Sequence, residues 1–114
     1  MKFIIKLIIS AIAVFATAYL LPGVAVDNFT TAVVVAIVLA LLNALLKPIL
    51  VFFTIPITVF TLGLFLLVIN AIIVLVCDGL VDGFEVDGVI YALLFSLVVS
   101  VITAVMEGLA KDKD

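Results

Sequence analysis

A chain of 114 residues that is 69% hydrophobic and 11% charged, with a mean hydropathy of +1.71, excludes an ordinary water-soluble domain, which is nearer half apolar and a quarter charged. Five lysines oppose eight acidic residues for a net charge of −3, and there is no histidine and a single cysteine. That excludes an internal disulfide and any cysteine-built metal site.

Residues 3–21 form the first predicted helix, long enough to span a bilayer. Lys2 and Lys6 ahead of an apolar run resemble a secretory leader, and Ala16-Thr17-Ala18 mimics a cleavage site. The apolar run continues through Leu21, which favours an uncleaved membrane helix. Pro22-Gly23 ends it. Val24 to Asn28 reads as a short loop, with Asp27 or Asn28 placed to cap the next helix. The second helix covers residues 29–46 and stops at Lys47-Pro48.

A straight helix from Asn43 to Asn70 would be about 42 Å long against a hydrocarbon core about 30 Å thick, so this stretch has to bend or break. Pro48 and Pro56 lack the backbone donor that a helix interior uses and mark the expected kinks. Residues 48–56 are the connector between them. Thr54, Thr58 and Thr61 share one helical face, which fits a short amphipathic helix at the membrane surface. The third helix is expected over 57–79, then an acidic, glycine-rich loop from Asp78 to Gly88, a fourth helix over 89–109 and a charged tail over 111–114.

Lys2, Lys6, Lys47, Lys111 and Lys113 all fall on one side of this four-helix arrangement, and Asp27, Asp78, Asp82, Glu85 and Asp87 on the other. Lysine marks the cytoplasmic side. Both termini and the Lys47 turn are therefore expected in the cytoplasm, and the acidic loops outside. Shifting the chain by sixty residues lays Gly23-Val24-Ala25-Val26-Asp27 on Gly83-Phe84-Glu85-Val86-Asp87, Ala32 on Ala92 and Val14 on Val74. Apolar helices match by composition, but loops do not. The expected fold is all-α: one integral membrane domain over 1–114, built as two tandem parallel hairpins, about 3–47 and 61–109, joined by a short proline-bounded connector on the cytoplasmic side. Such a repeat implies a pseudo-two-fold axis along the membrane normal.

Small residues recur every four positions on the second helix (Ala32, Ala36, Ala40, Ala44) and the fourth (Ala92, Ser96, Ser100, Ala104, Gly108). In lipid, where apolar surface gains nothing from meeting apolar surface, such ridges let backbones approach closely and hold helices together. They are expected to pack, within one chain or between copies in a homo-oligomer. Ser10, Asn43, Lys47, Asn70 and Thr103 are the intramembrane polar groups. They read either as the lining of an ion path or as interhelical hydrogen bonds with a snorkelling Lys47. The second is preferred, since no carboxylate lies mid-membrane to relay charge. The acidic loop lacks the spacing of a calcium loop, and its glycines suit tight turns. Histidine is absent as a general base, and the aspartates lie at the ends of the spans. Neither a catalytic site nor a cofactor is expected, nor a nucleic-acid partner. Cys77 reads as a buried apolar side chain.

Asn43-Ala-Leu-Leu-Lys47-Pro48-Ile-Leu50, Thr54-Ile-Pro56-Ile-Thr58, Thr61-Leu-Gly63-Leu-Phe65, Ile69-Asn70-Ala71 and Gly83-Phe-x-Val-Asp87-Gly88 resemble the four-helix phage holin superfamily IV over nearly the whole chain. The resemblance implies a protein that oligomerises in the cytoplasmic membrane and permeabilises it, letting a lysin partner out. The competing expectation is a non-lytic oligomeric scaffold with an envelope partner. A pore former needs a polar face, and a scaffold needs only packing ridges.

Overall fold

The structure, a computed structural model, describes residues 2–112 and the side chains of residues 2–109. The tail residue Lys113 and the side chain of Lys111 lie outside the described residues. In chain order the elements are α1 (Lys2–Leu20), β1 (Val24–Val26), α2 (Phe29–Phe53), α3 (Ile55–Phe60), α4 (Phe65–Leu80), β2 (Phe84–Val86) and α5 (Gly88–Asp112). Three of the helices, α1, α2 and α5, are long and apolar enough to cross a membrane, and α4 is a shorter apolar helix of 16 residues. Asn28 caps α2, its side-chain oxygen accepting from the Thr31 backbone N–H at 2.8 Å.

The middle of the chain differs from expectation. The second helix does not stop at Lys47; it runs through Pro48 to Phe53. A proline forfeits one ladder bond, and the 25-residue apolar helix tolerates that loss. The break comes at Thr54, whose hydroxyl donates back to the Leu50 carbonyl at 2.7 Å. Pro56 then lies in the first turn of α3, where an N–H would have no helical partner in any case. The third long helix begins at Phe65 rather than residue 57. Before it, α3 ends in a pair of bonds from Leu62 N–H to the Val59 carbonyl (3.1 Å) and from Gly63 N–H to the Thr58 carbonyl (2.8 Å). This is a Schellman turn with a leucine in the left-handed position, Leu62 at φ 57°. Thr61 Oγ1 donates to the Thr58 carbonyl and accepts from Phe65 N–H. The Thr54 and Thr61 hydroxyls thus bond backbone groups at the breaks, whereas the buried Thr58 hydroxyl has no partner among the described residues. Thr58 on α3 and the caps of that helix, Thr54 and Thr61, are half-covered, while Ile55, Ile57, Val59 and Phe60 are exposed.

The two expected loops are also more regular than foreseen. β1 and β2 pair antiparallel, Val24 with Val86, Ala25 with Glu85 and Val26 with Phe84. Backbone bonds flank the ribbon on both sides, from Asp27 N–H to the Gly83 carbonyl (2.9 Å) and from Asp87 N–H to the Gly23 carbonyl (2.7 Å). The ribbon ties the α1–α2 end of the chain to the α4–α5 end. Gly83, at φ 88°, approaches so closely that a Cβ there would sit 2.6 Å from an Asp27 carboxylate oxygen. A Cβ on Gly23 would overlap the Tyr91 ring.

Around this clasp α1 packs beside α2 and α5, and α4 beside α5 and α2, closing a ring of four helices. The core sits at the strand end of that ring. It takes Ile9, Ala11, Ala13, Val14 and Thr17 from α1 and Ile69, Ala71, Ile73, Val74 and Cys77 from α4, positions sixty residues apart. α2 contributes Ala32, Val35 and Ala36, and α5 contributes Ala92 and Phe95. Phe84 closes the core from the ribbon, its ring 5.3 Å from that of Phe95. The buried Thr17 hydroxyl is satisfied within its own helix by the Ala13 carbonyl at 2.6 Å. Beyond Ala36 on α2, and beyond Phe95 through Leu109 on α5, no side chain is fully buried.

Candidate functional site

The loosely packed half of the ring, opposite the strands, carries two adjoining cavities. The larger, about 450 Å³, lies between α1 and α2 with Val99 of α5 behind it, and its polar lining is Lys6, Ser10 and Asn43. The smaller, about 140 Å³, lies among α2, α4 and α5 and is lined by Asn43, Lys47, Asn70, Ser96 and Ser100 among apolar neighbours. Leu39, Asn43 and Val99 border both, so the two meet at Asn43.

Helix rise sets the depth of each group. Counting about 1.5 Å per residue from the strand end, Ser10 on α1 and Asn70 on α4 lie about 15 Å away, Lys6 and Asn43 about 21 Å, and Lys2 and Lys47 about 27 Å. Hydrocarbon is about 30 Å thick. If the strands mark one surface, Lys2 and Lys47 reach the other, and Lys6 with Asn43 sits one turn inside. Among the described residues no carboxylate lines either cavity. The cavities therefore make a positive, partly polar vestibule, open at the lysine end and closed by Val14, Val35, Val74 and Phe95 toward the strands. It admits polar groups from one side and offers no route through the packed core.

Four of the five polar residues singled out in the sequence line this vestibule, Ser10, Asn43, Lys47 and Asn70; Thr103 is half-buried on α5 and lines neither cavity. Lys6 belongs to the lining as well. Its signal was available, since Lys6 and Ser10 stand four apart as Asn43 and Lys47 do, but sorting lysines by membrane side hid it. The small-residue ridges divide at mid-helix. Ala32, Ala36 and Ala92 are buried and Ser96 is half-buried, whereas Ala40, Ala44, Ser100, Ala104 and Gly108 are exposed in the single chain. Pro48 and Pro56 lie on exposed surface away from both cavities.

At the strand end a shallow depression is lined by Pro22, Gly23, Ala25 and the carboxylates of Asp78, Glu85 and Asp87. Asp78 is engaged structurally, accepting from the Val86 N–H at 3.0 Å. Among the described residues no cluster of three carboxylate or thiol side chains is arranged to hold a metal ion.

The profile of the family described as mycobacterial 4 TMS phage holin, superfamily IV, matches residues 1–105. An uncharacterized membrane protein of Bacillus subtilis, YvlD, is 31% identical over 101 residues, spanning 88% of this chain and 85% of that protein. The Streptomyces coelicolor protein SCO3922, also described as uncharacterized, is 34% identical over 123 residues, spanning 99% of this chain and 98% of its own. No solved structure matches.

Proposed function

The chain belongs to the mycobacterial four-TMS phage holin superfamily IV, a multi-pass membrane protein family, and on that premise we propose that copies of it assemble in the cytoplasmic membrane and permeabilise it. The observation that carries this reading is the division of the ring into a sealed half and an open half. In the open half Ala40, Ala44, Ser100 and Ala104 are exposed beside a vestibule lined by Asn43, Lys47 and Asn70. Small residues exposed at four-residue spacing are what neighbouring helices in lipid pack against, and polar groups between them supply the hydrated face that a pore needs.

The same reading takes the chain as two tandem hairpins, with both termini cytoplasmic. Supporting the duplication, Ala25 and Glu85, sixty residues apart, pair with each other at the centre of the ribbon, as a two-fold axis through the ribbon requires. Lysine placement supports the orientation. Single cysteines at positions 25 and 85, with Cys77 replaced, are expected to label from outside intact cells; labelling only after the membrane is opened overturns that orientation.

A second reading, a non-lytic scaffold with an envelope partner, has its own support in the strand end, where Phe84, Phe95 and Val35 close the ring. Induced expression with membrane potential and culture density followed together separates the two. Abrupt collapse of potential is expected for the permeabilising reading. Undisturbed growth with a stable cross-linked oligomer overturns it in favour of the scaffold, which needs no lysin.

A further inference from the structure

We infer that the larger cavity at the lysine end is a binding site for one anionic phospholipid of that leaflet, its phosphate held by Lys6 and its acyl chain laid along Leu7, Leu39 and Val99. The lining is amphiphilic in the right order. Lys6 and Asn43 lie at one depth about 21 Å from the strand end, with the Ser10 hydroxyl about a turn deeper, and the remaining walls are alkyl or aromatic side chains such as Phe3 and Leu7. A lysine one turn inside the apolar layer calls for a counter-charge. Among the described residues no carboxylate lines this cavity or the one adjoining it, and the adjoining one adds a second lysine, Lys47. Basic pockets between membrane helices recognise anionic headgroups. A free phosphate would leave the apolar walls unused, which favours a lipid as the source of the anion. At the positions sixty residues on from Lys6, Ser10 and Asn43 stand Leu66, Asn70 and Thr103. The position matching Lys6 carries no cation, and the adjoining cavity, which holds Lys47, is only about 140 Å³, so the stoichiometry is one lipid per chain.

Native mass spectrometry of the full chain in detergent tests it, with phosphatidylglycerol, phosphatidylcholine of the same acyl chains and inorganic phosphate as separate probes. Expected is one phosphatidylglycerol retained per chain in preference to phosphatidylcholine. Lys6→Gln should cut that preference by about five-fold. Lys2→Gln, which removes the same charge from the same end but not from the cavity, should leave it unchanged. Ala40→Phe fills the cavity with every lysine in place and should lower retention of both lipids. Equal retention of the two lipids overturns the site, as does equal loss on Lys2→Gln, which would show a diffuse surface charge. Full retention by Ala40→Phe also overturns it. Binding of inorganic phosphate with the same dependence on Lys6 overturns the lipid as occupant.

Discussion

The strand end and the lysine end of this protein are built from the same ring of four helices and from nearly the same apolar alphabet, yet one is packed and the other is open. At the strand end small residues face one another, so backbones come close, and Phe84 and Phe95 fill the space that remains at the centre. At the lysine end the interior positions pass to Lys6, Ser10, Asn43 and Asn70, and the large side chains Phe52, Phe53 and Phe60 face outward. Lipid accepts those outward side chains at no cost, because apolar surface gains nothing by leaving it for a protein interior. What distinguishes the ends is therefore fit: packing contacts that lipid cannot reproduce exist at only one of them.

The sharpest way to break the comparison is to truncate one aromatic at each end. Phe95 is 0% exposed and Phe52 is 68% exposed. Phe95→Ala should cost about 3–5 kcal/mol, while Phe52→Ala should stay within about 0.5 kcal/mol, read as thermal unfolding in detergent. Equal losses would show that the lysine end is as tightly built as the strand end.

A smaller contrast concerns the ridges. Ala92→Leu forces a branched side chain into a site with no exposure and should destabilise the fold by about 1–3 kcal/mol. Ala40→Leu, at the exposed part of the ridge on α2, should leave the monomer folded and weaken an oligomer, read by size-exclusion chromatography or cross-linking. If Ala40→Leu unfolds the monomer, its ridge packs within one chain. If it leaves both fold and oligomer untouched, the open face meets lipid alone.

The smallest contrast is at two glycines with nearly the same backbone. Gly83 (φ 88°) and Gly63 (φ 89°) both occupy the left-handed region, but only Gly83 has a neighbour, the Asp27 side chain, where a Cβ would go. Gly63→Ala should show the conformational cost alone, about 1–2 kcal/mol. Gly83→Ala should add the displaced carboxylate and exceed it. Equal effects would mean that the clasp adjusts freely.

Much of this was legible in the chain itself. Apolar runs bounded by Pro22-Gly23 and by the acidic glycine-rich segment marked the long helices, since a run near twenty residues without charge has few other uses. Lys2, Lys6 and Lys47 fall at one end of the ring, and Asp27, Asp78, Asp82, Glu85 and Asp87 at the other. The offset of sixty residues that matched Gly23 to Gly83 and Asp27 to Asp87 also relates the two sets of buried positions on α1 and α4. Pro48 misled, because a proline signals one missing hydrogen bond and nothing about whether the surrounding helix can spare it. The break after α3 had a poor signal too: Leu62 takes the left-handed position although Gly63 stands next to it.

The site divides along the same line. Residue types and four-residue spacing picked out Ser10, Asn43, Lys47 and Asn70, because polar groups in an apolar span stand out one by one. That Lys6 joins them, that Thr103 does not, and that the two cavities meet at Asn43 depend on which helices are neighbours. By itself the sequence determined the membrane class and the apolar segments that form the helices of the ring, because burial in lipid acts on each segment separately. Only the tertiary structure decided that two three-residue strands pair into a clasp, that the ring closes tightly beside it, and that it stays open at the lysines. Those outcomes turn on contacts between residues about sixty positions apart, which no local pattern encodes.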